Sequence, residues 1–184
     1  MPEGIIKLLR PSASKNNMAI KHREQRVVVL IDVQNMYHSA KNLYGKKANF
    51  AEILKTAVGE RKLIRAFAYV VRTKTGEEKP FFEALTKLGL ETRVRDLQEF
   101  YGGMKKADWD VGITIDAVKS AAGVDVIVLV SGDGDFIQLV EYLKNQGKRA
   151  EVLAFGKSTS SRLREIADEF IDLGEKPDKY LLKK

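Results

Sequence analysis

Aspartates in three separate stretches carry the chemistry that this chain offers. Asp32 closes the apolar run VVVLI, and Asn35 follows three residues later. Asp133 and Asp135 follow a second run, VDVIVLV, through Ser131 and Gly132, so that the segment reads SGDGDF. Asp110 stands near the start of a helix-like stretch, KADWDVGITID, which also contains Asp108 and Asp116. Each has an ordinary structural use, because an Asp directly after a strand caps the next helix by accepting from its free N–H groups. Gathered in one place, however, these carboxylates would repel one another unless a cation neutralised them. An all-oxygen donor set without Cys or His suits a hard ion, Mg²⁺ or Mn²⁺. Such ions favour phosphoryl chemistry, where they polarise phosphate oxygens and lower the pKa of an attacking water. Asp108 reads as a helix cap and Asp110 as the residue that projects into the site. Asp116 lies six residues beyond Asp110, about 120° round an ideal helix, and is the weaker ligand.

These stretches work together only if the fold brings them to one edge. From Arg26 onward β-branched runs alternate with helix-like segments. Strands are expected at Val27 to Ile31, Leu63 to Val71, Leu90 to Arg95, Val124 to Val130, Arg149 to Ala154 and Phe170 to Leu173. Helices are expected at Asn35 to Tyr44, Phe50 to Val58, Glu77 to Leu88, Asp108 to Ala122, Phe136 to Asn145 and Ser160 to Asp168. Alternation of this kind predicts a parallel sheet with helices on both faces, since parallel strands need crossover connections. Runs as apolar as VVVLI fit strands covered on both sides. Ligands of such sheets bind beyond the carboxyl ends of the strands, where Asp32 and Asp133 fall. The stretch Tyr101 to Lys106, YGGMKK, reads as a mobile loop.

Composition narrows the classes further. A chain of 184 residues leaves room for one domain with tails. It has no Cys, which removes disulfides and thiolate chemistry, and only His22 and His38, which makes a His-rich zinc site improbable. No apolar run approaches the ~18 residues of a membrane span, and nothing resembles a signal peptide, so a cytoplasmic location is expected. The net charge of +7 is concentrated at the ends. Residues 1–26 carry six Lys/Arg against two acids and residues 175–184 four against two, which leaves 22 basic and 21 acidic residues between them. A basic arm on a near-neutral core suits attraction to nucleic acid phosphates, or serves solubility alone. SGDGD is not a dinucleotide-binding GxGxxG, and no P-loop is present. Ser131 has no recognisable His base. Trp109 would either pack or stack on a base, and Arg65, Arg72, Lys74, Lys105 and Lys106 would either contact phosphates or stay solvated.

Asp32-Val-Gln-Asn35, Lys106-Ala-Asp-Trp-Asp110-Val-Gly-Ile-Thr-Ile-Asp116 and Ser131-Gly-Asp-Gly-Asp-Phe136, in this order, resemble the NYN domain family, the PIN-like group that includes the LabA/DUF88 proteins. The resemblance spans about Arg26 to Gly174. It implies a three-layer α/β/α PIN-like domain with a mainly parallel sheet, an acidic pocket for Mg²⁺ or Mn²⁺, and ribonuclease activity. Carried over by motif, Asp32, Asp110, Asp133 and Asp135 would be the catalytic and metal-binding acids, Asn35 their polar neighbour, and Asp116 a further acidic position. Where family members carry Lys-Gly-x-Asp, this chain reads Lys106-Ala-Asp-Trp-Asp110.

The expected protein is therefore a metal-dependent ribonuclease: a flexible basic leader (1–25), a PIN-like domain (26–174) and a basic tail (175–184). Asn35, Arg72, Lys105 and Lys106 are its candidate RNA contacts. RNA is the expected partner, membranes are not, and a homodimer is left open. The first alternative is an RNA-binding or regulatory module of the same fold with weak or no catalysis. The second is a phosphatase-like enzyme acting on small molecules. That class commonly uses a DxD after the first strand, whereas the residue two after Asp32 is Gln34.

Overall fold

The computed structural model describes residues 21–183 apart from Phe100 and Met104, with Lys105 and Lys106 described in backbone only. Six strands, β1 (Arg26–Asp32), β2 (Lys62–Arg72), β3 (Glu91–Asp96), β6 (Val126–Val130), β7 (Arg149–Ala154) and β8 (Glu169–Asp172), form one sheet in the order β3-β2-β1-β6-β7-β8. Every neighbouring pair in it is parallel. Two-residue strands β4 (Gln98–Glu99) and β5 (Lys105–Lys106) pair antiparallel apart from this sheet. The chain is thus an α/β fold with a parallel central sheet, as the alternation of apolar runs predicts.

Side chains alternate between two cores as the pleat requires. Val27, Val29 and Ile31 of β1 face one core with Val126, Val128 and Val130 of β6, while Val28, Leu30, Ile127 and Leu129 face the other. On the first face pack α1 (Val33–Tyr44), α2 (Phe50–Val58) and α3 (Lys79–Lys87), through Met36, Ala40, Ile53 and Leu85. On the second pack α4 (Asp110–Ala121), α5 (Ile137–Asn145) and α6 (Ser161–Ile166), through Ile113, Ala117, Leu139, Leu143 and Leu163. The helices change faces between β1, which leads outward to β2 and β3, and β6, which leads outward to β7 and β8. The strand order reverses between these two central strands, and that is where open parallel sheets form a crevice at their carboxyl ends.

Two regions differ from the sequence expectation. In the YGGMKK stretch, residues 101–103 make the turn and Lys105–Lys106 the return strand of the β4–β5 hairpin, in which Gly102 and Gly103 adopt φ of 94° and 82°. Glycine alone takes such angles without a Cβ clash, and this permits the reversal. The stretch 175–184, expected as a tail, contains the short helix α7 (Pro177–Tyr180), and its Tyr180 and Leu181 join the core while the Tyr180 hydroxyl meets Thr56 Oγ1 at 3.1 Å. Of the expected leader, residues 1–20 lie outside the described residues, and Lys21 Nζ lies 3.2 Å from Glu169.

One buried ion pair ties the α2 end of the first layer to the sheet. Glu151 of β7 is fully buried, and its two oxygens accept from Arg61 Nη1 at 2.8 Å and Nη2 at 2.9 Å. Arg61 also donates to the Ala57 and Val58 carbonyls at 2.8 and 3.1 Å, which satisfies two groups left free at the end of α2. Burial pushes the Glu151 carboxyl up, but hydrogen bonds from Arg61 and Arg149 outweigh it and hold the group below the usual carboxylate range.

Candidate metal centre at the strand ends

Parallel pairing of Ile31 with Val130 brings the ends of β1 and β6 side by side, so the residues that follow them meet. Asp32 Oδ1 caps α1 by accepting from the Asn35 N–H at 3.0 Å, while its Oδ2 accepts from Ser131 Oγ at 3.2 Å. Asn35 Oδ1 in turn accepts from the Gly132 N–H at 3.0 Å, and Ser131 Oγ accepts from the Asp133 N–H at 3.3 Å. Asp133 Oδ1 accepts from the Asp135 N–H at 2.9 Å, which closes a short 3₁₀ turn over Gly134–Phe136. Capping and site formation therefore coincide here: the bonds that start each helix also aim the carboxylates. Gly132 is required by space, because a Cβ there would lie 2.7 Å from Thr159 Oγ1 and 3.1 Å from the Ser158 carbonyl.

The third contributor arrives from the second layer. Asp110 opens α4, and one carboxylate oxygen from each of Asp110, Asp133 and Asp135 lies within 4.8 Å of the others. Burial raises the Asp110 carboxyl, and the charges of Asp133, Asp108, Asp32 and Asp135 raise it further, to about 6. Burial likewise lifts Asp32, against its bonds to Asn35 and Ser131. Four of the acids singled out in the sequence thus share one crevice, three as a tight group and Asp32 beside them. Oxygen-only donors at this spacing fit a hard divalent cation. Asp116 lies outside the group; its Oδ2 accepts from the Tyr69 hydroxyl at 2.9 Å and faces Arg93 Nε at 3.7 Å.

Trp109 is packed in this structure. Its Nε1 donates to the Val70 carbonyl at 2.9 Å, its ring lies 5.3 Å from Tyr69, and the Arg95 guanidinium sits 4.4 Å from its centroid. These contacts anchor the first turn of α4 to β2 and so place Asp110. A Cβ on Gly112 would meet Trp109 Cε3 at 2.6 Å. Gly112→Ala should therefore displace the indole. A helix-favouring change worth about 1 kcal/mol on propensity should instead cost about 1–3 kcal/mol, measured by urea denaturation. The chain has a single Trp, so its emission reports the displacement directly: a red shift is expected, and unchanged emission with increased stability would refute the packing argument.

The raised Asp110 carboxyl has a signed consequence for metal-free protein. Its folded pKa of about 6 lies above the ordinary 3.8, so the native state holds more protons than the unfolded chain between these values. Stability falls as pH rises through that window, and the penalty is complete above it. Asp110→Asn removes the penalty. In chelator, its Tm should exceed that of the wild type by a few degrees at pH 7.5 and match it near pH 4. A difference of the same size at both pH values would reject the repulsion.

Of the candidate phosphate contacts, Asn35 lies in the site, and three of the cations weighed with it are paired with carboxylates. Arg72, at the end of β2, donates to Asp96 at 2.7 Å, Arg65 to Glu91 at 2.6 Å and Lys74 to Glu99 at 2.8 Å. The side chains of Lys105 and Lys106 lie outside the described residues. Sequence reasoning passed over Ser131 as a linker, although the fully buried Ser131 joins Asp32 to Asp133; its placement between strand and DxD was the available signal.

A parallel α/β domain with an acidic crevice at its switch point is a PIN-like fold. The chain belongs to the NYN domain family, whose model matches residues 26–174. It is 29% identical over 161 residues to the low amplitude and bright protein LabA of Synechococcus elongatus, covering 83% of this chain and 86% of that one. It is 27% identical over 154 residues to the uncharacterized protein MJ0482 of Methanocaldococcus jannaschii, covering 83% of this chain and 57% of that one. Among solved structures, VPA0982 of Vibrio parahaemolyticus, a protein of unknown function, aligns with a TM-score of 0.79 at 32% identity, over 89% of this chain and 99% of that one. Family membership points to a nuclease-type function and to nucleic acid as partner, and the carboxylate group is a candidate metal centre. No helix among the described residues is long and apolar enough to cross a membrane.

Proposed function

We propose that this protein is a divalent-metal-dependent ribonuclease that hydrolyses RNA phosphodiester bonds at the crevice formed by Asp32, Asp110, Asp133 and Asp135. The observation that carries this reading is the convergence of three carboxylate oxygens within 4.8 Å at the ends of the central strands, inside an NYN domain. Asp110, Asp133 and Asp135 would hold the ion, Mg²⁺ or Mn²⁺, which when bound supplies neutralising charge and a more acidic water. Asp32, fixed by Asn35 and Ser131, adds a fourth carboxylate beside them and would serve as a proton acceptor. Asn35 spends its carbonyl oxygen on the Gly132 N–H and leaves its amide N–H₂ without a partner among the described residues, as a donor for a phosphate oxygen. Catalysis in this arrangement comes from charges already in place before substrate arrives.

The test is cleavage of a panel of single-stranded and structured RNAs by the purified protein, with Mn²⁺ or Mg²⁺ and with chelator. Cleavage that requires the ion is expected. Tight RNA binding with no ion-dependent cleavage of any substrate would replace this reading with that of an RNA-binding module of the same fold.

A further inference from the structure

Unpaired positive charge and an exposed ring meet in one groove, of about 530 Å³, beside α1. Tyr37, Lys41, Lys46, Lys47, Leu182 and Lys183 line it. Tyr37, Lys41 and Gly45 recur every four residues and so form a stripe along one side of α1. The stripe begins within two turns of the Asp32 cap, on the helix whose first turn carries Asn35. Gly45 ends α1 in the left-handed region at φ 61°, and Lys46 and Lys47 follow the turn it makes. The opposite wall is held by backbone pairing: the Leu182 N–H donates to the Lys47 carbonyl at 2.8 Å, and Ala48 bridges to Leu181.

Two features give this groove a partner. Among the described residues, Lys21, Lys62, Lys74 and Lys144 form ion pairs, whereas Lys41, Lys46, Lys47 and Lys183 form none. A second cavity, of about 340 Å³, is also lined by cations, Arg65, Arg93 and Lys119, but there Arg65 is bound to Glu91 and Arg93 faces Asp116. In that second cavity only Lys119 is left without an ion pair, whereas all four lysines of the α1 groove are, so the larger unpaired charge for an external anion lies along α1. The second feature is Tyr37, 40% exposed, with the Lys41 ammonium 5.6 Å from its ring centroid. A ring beside a row of cations matches a polymer of flat bases on a charged backbone, since bases stack on aromatic side chains while phosphates meet lysines. An acidic polypeptide would use the lysines and leave the ring idle.

We infer that the α1 groove is the track for a single-stranded RNA segment outside the reacting phosphodiester, with a base against Tyr37 and phosphates on Lys41, Lys46, Lys47 and Lys183. α1 is about 18 Å long, so a strand lying along it reaches several nucleotides from the carboxylates, beside which the helix begins. The base must be unpaired to stack, which sets the preference for single strands over duplex. The inference rests on the ribonuclease reading for its polymer, and not on catalysis.

Binding of a short fluorescent single-stranded RNA to the full chain, in chelator and across a salt series, tests it. Tyr37→Leu should weaken binding about 5- to 100-fold and leave the salt dependence unchanged. Lys46→Ala with Lys47→Ala should lower the slope of log affinity against log salt by about 1.4, at ~0.7 for each phosphate no longer neutralised. Lys55→Ala with Lys87→Ala, removing exposed lysines of α2 and α3, should alter neither. Duplex RNA should be insensitive to Tyr37→Leu. Groove variants that bind as wild type, or a control pair that loses as much as the groove pair, would overturn the inference. Polyglutamate competing as well as RNA at equal charge would overturn it in favour of an acidic polypeptide partner. Chelator stops ion-dependent cleavage, so an inactive wild type bears on the proposed function and leaves this test intact.

Discussion

Asp133→Asn is expected to abolish ion-dependent RNA cleavage, by a factor of at least about 10²–10³, while raising the Tm of the metal-free protein. Asn is nearly the same shape and keeps an oxygen to accept from the Asp135 N–H, the bond that closes the Gly134–Phe136 turn. What the substitution removes is charge. Asp133 gives one of the three clustered oxygens and is the foremost of the neighbouring charges that raise Asp110. Without it, the remaining acids repel less and the apo fold gains stability, whereas the donor set falls short for a hard ion. Mass action separates the two effects. At 100 times its Kd, Mn²⁺ should stabilise the wild type by about 2.7 kcal/mol and leave the variant unchanged. Equal thermal shifts in both proteins would remove Asp133 from the site, whatever the cleavage assay showed.

The sheet was legible because its signal is local. Val27 to Ile31 and Val126 to Val130 are apolar at every position, as strands buried on both faces must be, and an Asp after each marks the carboxyl edge. The helical period likewise separated Asp116 from Asp110, and the structure sets Asp116 on Tyr69, away from the carboxylate group. The NYN motifs named the four acids, but motif and period were silent on how they are held. Ser131 and Asn35 become links only once β1 and β6 are neighbours, and Gly112 explains itself only against Trp109. The YGGMKK hairpin escaped because two-residue strands carry no periodicity. The packing of Tyr180 and Leu181 escaped because a charge-rich stretch conceals two apolar residues whose partners lie over 100 positions earlier. Charge count directs attention to the ends of the chain, where Lys183 lies, whereas the other lysines of the proposed α1 groove, Lys41, Lys46 and Lys47, come from its near-neutral middle.

Glu151 shows the same limit and carries the largest expected effect on stability. It sits inside the buried strand RAEVLA, where Arg149 two residues away donates to it at 2.6 Å, but nothing near it in sequence identifies Arg61, 90 positions away, which meets both of its oxygens. Glu151→Ala leaves the Arg61 guanidinium, whose side chain is 1% exposed, without a counter-charge. Breaking a buried pair in this way should cost about 3–5 kcal/mol, a large share of the ~5–15 kcal/mol that holds a domain together. The variant should therefore show a much lower urea midpoint. Replacing both partners, Arg61→Met with Glu151→Leu, removes the stranded charge and should recover much of the loss. The dependence on pH has a definite sign. The native Glu151 carboxyl lies below its ordinary value, so its contribution is present above that value and disappears as pH falls through the native pKa. The gap between wild type and Glu151→Ala should narrow accordingly in acid. A loss under about 1 kcal/mol at pH 7 would mean that solvent reaches the pair. Because β7 leads into the turn that seats Gly132 against Thr159, the single variant should bind Mn²⁺ through its folded fraction alone. Metal should thus raise its Tm as it does for the wild type, from a lower starting point.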